Sequence, residues 1–128
     1  MPRVLVIDDD NDYRDYLVAV LERAGHAVCT LPNGASLENF VSERAFDAVL
    51  TDLYMPEADG IETIRAIRRL APGLPILGMT GGGHGAYADA TVRAMKLFGA
   101  RAVLYKPIEP AQLVATLDSI ILGERATR

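Results

Sequence analysis

Cysteine, basic runs and long apolar stretches are all scarce in this chain of 128 residues. Cys29 is the only cysteine, which excludes an internal disulfide framework. It falls in a strand-like run and reads as an inert core thiol. Lysine and arginine number 13 against 17 acidic residues, giving a formal net charge of −4. The basic residues are scattered singly or in pairs such as Arg68-Arg69. With no basic stripe, a nucleic-acid surface is not expected. The first apolar run, Val4–Ile7, is short and ends in acids, unlike a secretory signal. No apolar stretch approaches the roughly 20 residues of a bilayer crossing, so membrane insertion is not expected and a cytoplasmic location is. Repeats, linkers and low-complexity segments are also absent.

Half of the chain is apolar, enough for one domain of this length to bury a core without metal or disulfide support. Residues 1–123 are read as that domain and 124–128 as a short polar tail. Short apolar runs alternate with longer amphipathic ones. The runs Val4–Ile7, Ala27–Leu31, Phe46–Thr51, Pro75–Thr80 and Ala102–Tyr105 read as buried strands. Between them the helical period appears in Tyr16, Leu17, Val20 and Leu21, in Leu37, Phe40 and Val41, and in Ile61, Ile64, Ile67 and Leu70. A fourth helix is predicted over Ala86–Phe98. A fifth carries Leu113, Leu117, Ile120 and Ile121. Asp10 or Asn11 caps the first helix, and Gly25 ends it. This rhythm implies an α/β fold with right-handed crossovers, a parallel sheet and helices on both faces.

In such a sheet the functional crevice lies beyond the carboxyl ends of the strands. Asp8, Asp9 and Asp10 follow the first strand, Asp52 the third, while Thr80 ends the fourth and Lys106 follows the fifth. Clustered carboxylates repel one another, and one ammonium does not neutralise them. A hard divalent cation would, and magnesium favours carboxylates together with phosphate oxygens. A carboxylate is also a competent nucleophile toward phosphorus. An ammonium, a hydroxyl and a metal would then stabilise the charge spread over the transferring group. The inventory suits phosphoryl transfer to an aspartate.

The run Val4 to Asp10, the segment Asp52-Leu53-Tyr54-Met55-Pro56-Glu57-Ala58-Asp59-Gly60, Thr80 and Lys106-Pro107 resemble the response-regulator receiver pattern of the CheY type, in order and over nearly the whole chain. The resemblance implies a flavodoxin-like (βα)5 three-layer sandwich of strand order 2-1-3-4-5. It implies Asp52 as phosphoacceptor, with Asp8, Asp9, Asp52 and the Tyr54 backbone carbonyl holding Mg2+. Thr80 and Lys106 would contact the phosphoryl group, and Met55, Pro56, Asp59 and Gly60 would shape the loop. A sensor histidine kinase or histidine phosphotransfer protein is the implied donor, and a downstream protein target the receiver of the signal. The chain would be a signalling module that catalyses only its own phosphorylation and dephosphorylation, not an enzyme in the usual sense. Lys106–Pro107 becomes a candidate cis peptide.

Duller readings exist for single residues. Asp8 and Asp9 alone could be solvated, Asp10 is a helix cap, and Lys106 could snorkel from its strand. His26 is expected at the surface and His84 in an exposed loop. Two departures from the receiver pattern stand out. Val103 occupies the place where an aromatic is usual, so the switch is expected to be absent or moved to Tyr105 on the same side of the strand. The segment Gly81-Gly82-Gly83-His84-Gly85 is glycine-rich and expected to be mobile without phosphate. Tyr54 would restrict water near an acyl phosphate whereas Gly82 would admit it, so the two act on phosphoryl lifetime in opposite directions. Two competing functions are a phosphorylation-independent receiver-like interaction module and a haloacid-dehalogenase-type phosphohydrolase using Asp8.

Overall fold

The structure, a computed structural model, describes residues 2–43, 46–53, 60–81 and 86–126. Five parallel strands, β1 (Arg3–Ile7), β2 (Ala27–Leu31), β3 (Ala48–Asp52), β4 (Ile76–Thr80) and β5 (Ala102–Tyr105), form a sheet ordered β2-β1-β3-β4-β5. Helices α1 (Asn11–Arg23), α2 (Leu37–Glu43), α3 (Gly60–Leu70), α4 (Ala86–Phe98) and α5 (Pro110–Ala126) alternate with the strands. A single 3-10 turn, Gly34–Ser36, precedes α2. This is the flavodoxin-like α/β sandwich expected from the sequence.

β3 and β4 are buried along their whole length because helices cover both of their faces. One face packs Val4, Val6, Leu50 and Leu77 against Leu17 and Leu21 of α1 and Leu113 and Leu117 of α5. The other packs Leu5, Val49 and Ile76 against Leu37 of α2, Ile64 and Ile67 of α3 and Met95 of α4. Each fully buried aliphatic side chain contributes about 1.5–3 kcal/mol. Gly78 lets α4 approach the sheet, since a Cβ there would lie 2.4 Å from Met95 Cε. Among the described residues no helix is long and apolar enough to cross a membrane.

Several details differ from the sequence reading: β1 begins at Arg3, β4 at Ile76, and α5 runs on to Ala126 where a tail was expected. β3 starts at Ala48, not Phe46, because Asp47 is spent on a local lock. Its Oδ2 accepts from Arg3 N–H at 2.8 Å, and its own N–H donates to Arg3 C=O at 2.7 Å. Cys29 is half-buried on the edge strand β2, not enclosed in the core. His26 is not at the surface. It is only 3% exposed, because α1 turns back at Gly25 and tucks the imidazole beside α5, with Nε2 3.0 Å from Asp118 Oδ1. The positive φ of Gly25, +94°, makes that reversal available.

Candidate functional site

Parallel pairing aligns the strand ends. Ile7 is level with Thr51, Asp52 with Met79, and Thr80 with Tyr105. The residues at or just past those ends therefore share one rim. Asp8 follows β1 and has no exposed surface, while Asp52 closes β3 at 5% exposure. Lys106 reaches both from beyond β5, its Nζ lying 2.8 Å from Asp8 Oδ2 and 3.1 Å from Asp52 Oδ2. Asp8 Oδ1 accepts the Asp10 N–H at 3.0 Å, and the Asp8 carbonyl accepts from Arg14 Nη1 at 2.7 Å. Both ends of that residue are thereby fixed.

Asp10 does what a cap residue should. Its carboxylate accepts from the Asp12 and Tyr13 N–H groups, so it is turned toward α1 and away from the rim. Carboxylate oxygens of Asp8, Asp9 and Asp52 lie within 4.8 Å of one another. The donors are all hard oxygens, and the group could hold a metal ion.

Lys106 responds to its setting in two opposed ways. Burial disfavours its charged form, but the Asp8 hydrogen bond and the charges of Asp52 and Asp8 outweigh this and raise its pKa above the ordinary lysine value. The ammonium thus stays charged where three carboxylates crowd. Thr80 is 1% exposed, and among the described residues its Oγ1 has no hydrogen-bond partner. A buried hydroxyl left unpaired is costly in a resting protein and is available to a ligand.

The response regulator receiver domain model matches residues 4–118. The chain belongs to that family. The receiver protein CpdR of Brucella abortus is 46% identical over 81 residues, covering 63% of this chain and 68% of that protein. The transcriptional regulatory protein ZraR of Klebsiella oxytoca is 38% identical over 124 residues, covering 95% of this chain. This receiver domain spans only 27% of the length of that relative. A response regulator receiver domain protein from Clostridium thermocellum superposes with a TM-score of 0.88 at 27% identity, each chain fully covered.

Of the site residues read from the sequence, the receiver fold brings Asp8, Asp9, Asp52 and Lys106 together and sets Thr80 at the adjoining strand end. Tyr54, Met55, Pro56 and Asp59 lie outside the described residues, as do Gly82, Gly83, His84 and Gly85. Gly60 is described, and a Cβ on it would lie 2.4 Å from Leu53 Cα, so only glycine fits where α3 begins. Lys106–Pro107 is cis. Val103 is half-buried against the cluster beneath α3 and α4, whereas Tyr105, level with Thr80, is 50% exposed.

Sequence reasoning missed Tyr13 and Arg14. The Tyr13 ring centroid lies 4.4 Å from Lys106 Nζ. No local pattern announces this, because the two residues meet only through the packing of α1 against the segment after β5. The one available signal was their shared position just beyond strand ends, where α1 opens beside the acids.

Proposed function

We propose that this receiver domain takes a phosphoryl group onto Asp52 from the phosphohistidine of a sensor histidine kinase or histidine phosphotransfer protein, and reports the change to a downstream protein. The observation that carries the reading is the Lys106 ammonium bridging Asp8 and Asp52 on a buried rim. The unpartnered Thr80 hydroxyl stands at the next strand end.

An Asp52 carboxylate oxygen attacks phosphorus as the P–N bond to the donor imidazole breaks. The bonding pair stays with the imidazole nitrogen, and the product is an acyl phosphate on Asp52. Lys106 exchanges Asp52 Oδ2 for a phosphoryl oxygen while keeping Asp8. The Thr80 hydroxyl donates to a second phosphoryl oxygen and so gains the partner it lacks. Asp8, Asp9 and Asp52 would hold Mg2+, with the Tyr54 carbonyl as a further ligand, and the ion would supply charge that offsets the carboxylates and the incoming oxygens. The domain turns over no separate substrate. Residues 1–123 are assigned to the receiver unit on this reading, and its last helix continues past that boundary to Ala126.

The outcome is a shift between two conformations, read by a protein partner at the face of α4, β5 and α5. Support comes from the large apolar side chains exposed on these three elements: Leu97 at 81%, Tyr105 at 50% and Leu122 at 68%. Moving the Thr80 hydroxyl would be felt at Tyr105, its register partner across the β4–β5 pairing. With the family known, the phosphohydrolase alternative using Asp8 is set aside. A phosphorylation-independent module would leave the paired acids and lysine without a use.

Intact-mass analysis with acetyl phosphate and magnesium tests the reading. A hydroxylamine-labile adduct is expected on the wild type and not on Asp52→Ala. The same adduct on both proteins would refute Asp52 as acceptor.

A further inference from the structure

Two tyrosines of α1 hold the segment that carries Lys106. The Tyr13 hydroxyl accepts the Ile108 N–H at 3.0 Å, and the Tyr16 hydroxyl donates to the Ile108 carbonyl at 2.8 Å. Both polar groups of one backbone residue, two places after Lys106, are thus taken by side chains of another element. The tyrosine rings also touch each other, with centroids 5.4 Å apart and planes tilted by 50°. Tyr13 is fixed in turn from below, since its N–H is one of the two that the Asp10 carboxylate caps.

The ammonium of Lys106 has three N–H directions. One meets Asp8 Oδ2, a second meets Asp52 Oδ2, and the Tyr13 ring face lies 4.4 Å from the nitrogen. That distance is inside the roughly 6 Å over which a ring face attracts a cation. An aromatic face differs from a third carboxylate in one respect that matters here. It attracts the ammonium without neutralising it, so the charge remains available for a phosphoryl oxygen.

We propose that Tyr13 is a positioning residue for Lys106: its ring holds the ammonium over the gap between Asp8 and Asp52, beside a backbone segment that Tyr16 also fastens. The proposal rests on Asp52 being the phosphoacceptor, as argued above. When Lys106 trades Asp52 Oδ2 for a phosphoryl oxygen, the ring contact does not have to break. The lysine then pivots about a fixed point and is not released into solvent, where its four-carbon stem would sample many rotamers.

The test compares Tyr13→Leu with Tyr13→Phe in the full chain, both first checked for a cooperative unfolding transition. Proton NMR of the Lys106 side chain, without any phosphodonor, should show upfield ring-current shifts in wild type and Tyr13→Phe that are lost in Tyr13→Leu. Phosphorylation by acetyl phosphate with magnesium should fall about fivefold in kcat/KM for Tyr13→Leu, the effect of losing roughly 1 kcal/mol of cation–ring attraction. It should stay within about twofold for Tyr13→Phe, a rescue that a general packing role would not give equally to rate and ring-current shift. Lys106 resonances unmoved in Tyr13→Leu, wild-type kcat/KM for that variant, or a Phe variant as slow as the Leu variant would each overturn the proposal. If the wild type itself carries no adduct on Asp52, the phosphoacceptor reading fails, and the donor-free NMR comparison still decides whether Tyr13 holds the lysine.

Discussion

Replacing Lys106 by methionine keeps most of the side-chain volume and removes the ammonium that pairs with both Asp8 and Asp52. The consequences follow from burial. Asp8 has no exposed surface and Asp52 has 5%, and the lysine meets them at 2.8 and 3.1 Å. Breaking a buried ion pair from one side costs about 3–5 kcal/mol, because the remaining charge keeps its desolvation penalty without its partner. The lysine side chain is itself 15% exposed, so water reaches the rim and the lower end applies, about 3 kcal/mol. For a domain of this size, 1 kcal/mol moves Tm by roughly 3–5 °C, which places the Lys106→Met midpoint about 10 °C below wild type in magnesium-free buffer. Magnesium should then restore more stability to the variant than it adds to wild type, where the ammonium competes for the same oxygens. At a concentration of roughly 100 times Kd, that restoration reaches about 2.7 kcal/mol. Thermal unfolding followed by circular dichroism, with and without magnesium, measures both quantities. Lys106→Met/Asp52→Asn should recover part of the loss without metal, since one of the crowded carboxylate charges is gone. A Lys106→Met midpoint within about 2 °C of wild type without magnesium would refute the reasoning, as would an equal magnesium gain in both proteins.

Gly60→Ala forces a Cβ to 2.4 Å from the Leu53 backbone and should cost about 1–3 kcal/mol in urea unfolding. Thr80→Val removes a buried hydroxyl that has no partner among the described residues, so stability should hold or rise by up to about 1 kcal/mol while phosphorylation-dependent shifts in NMR spectra diminish. Tyr16 is expected to ionise above the ordinary tyrosine value, because burial, then the neighbouring Tyr13 and Glu109, raise its pKa. Stability due to its protonated phenol is complete below the ordinary tyrosine value and is lost as pH rises through the raised folded value. Absorbance titration should therefore show a phenolate forming above the ordinary tyrosine value, and Tyr16→Phe should remove it.

The five strands were legible in the sequence because a strand buried on both faces leaves an uninterrupted apolar run, as at Val4–Ile7 and Ala48–Leu50, whereas their order came only from the resemblance to receivers. The rim was legible for a related reason. Parallel strands end at one edge, so Asp8, Asp52, Thr80 and Lys106 could be grouped by asking only what stands at the end of each run. What escaped notice depended on contacts between elements distant along the chain. His26 looks like an ordinary polar residue before a strand, and only the packing of α5 buries it. Tyr13 looks like one more aromatic on an amphipathic helix, and only the cis Lys106–Pro107 segment, meeting it from 95 residues away at Ile108, gives it a neighbour to hold. The early Phe46 boundary failed because the Arg3–Asp47 lock competes with the ladder for backbone groups.

The strand order also has a mechanical side. Lys106 leaves the outermost strand on one side of the sheet, yet its charge is anchored at the first and third strands, so its stem passes across the end of β4 beside Gly81. β5 is four residues long and pairs with one neighbour only, so this crossing side chain is a second fastening for the weakest margin of the sheet. A change of charge on Asp52 would act on that fastening directly, through the lysine stem and not through the β4–β5 backbone ladder.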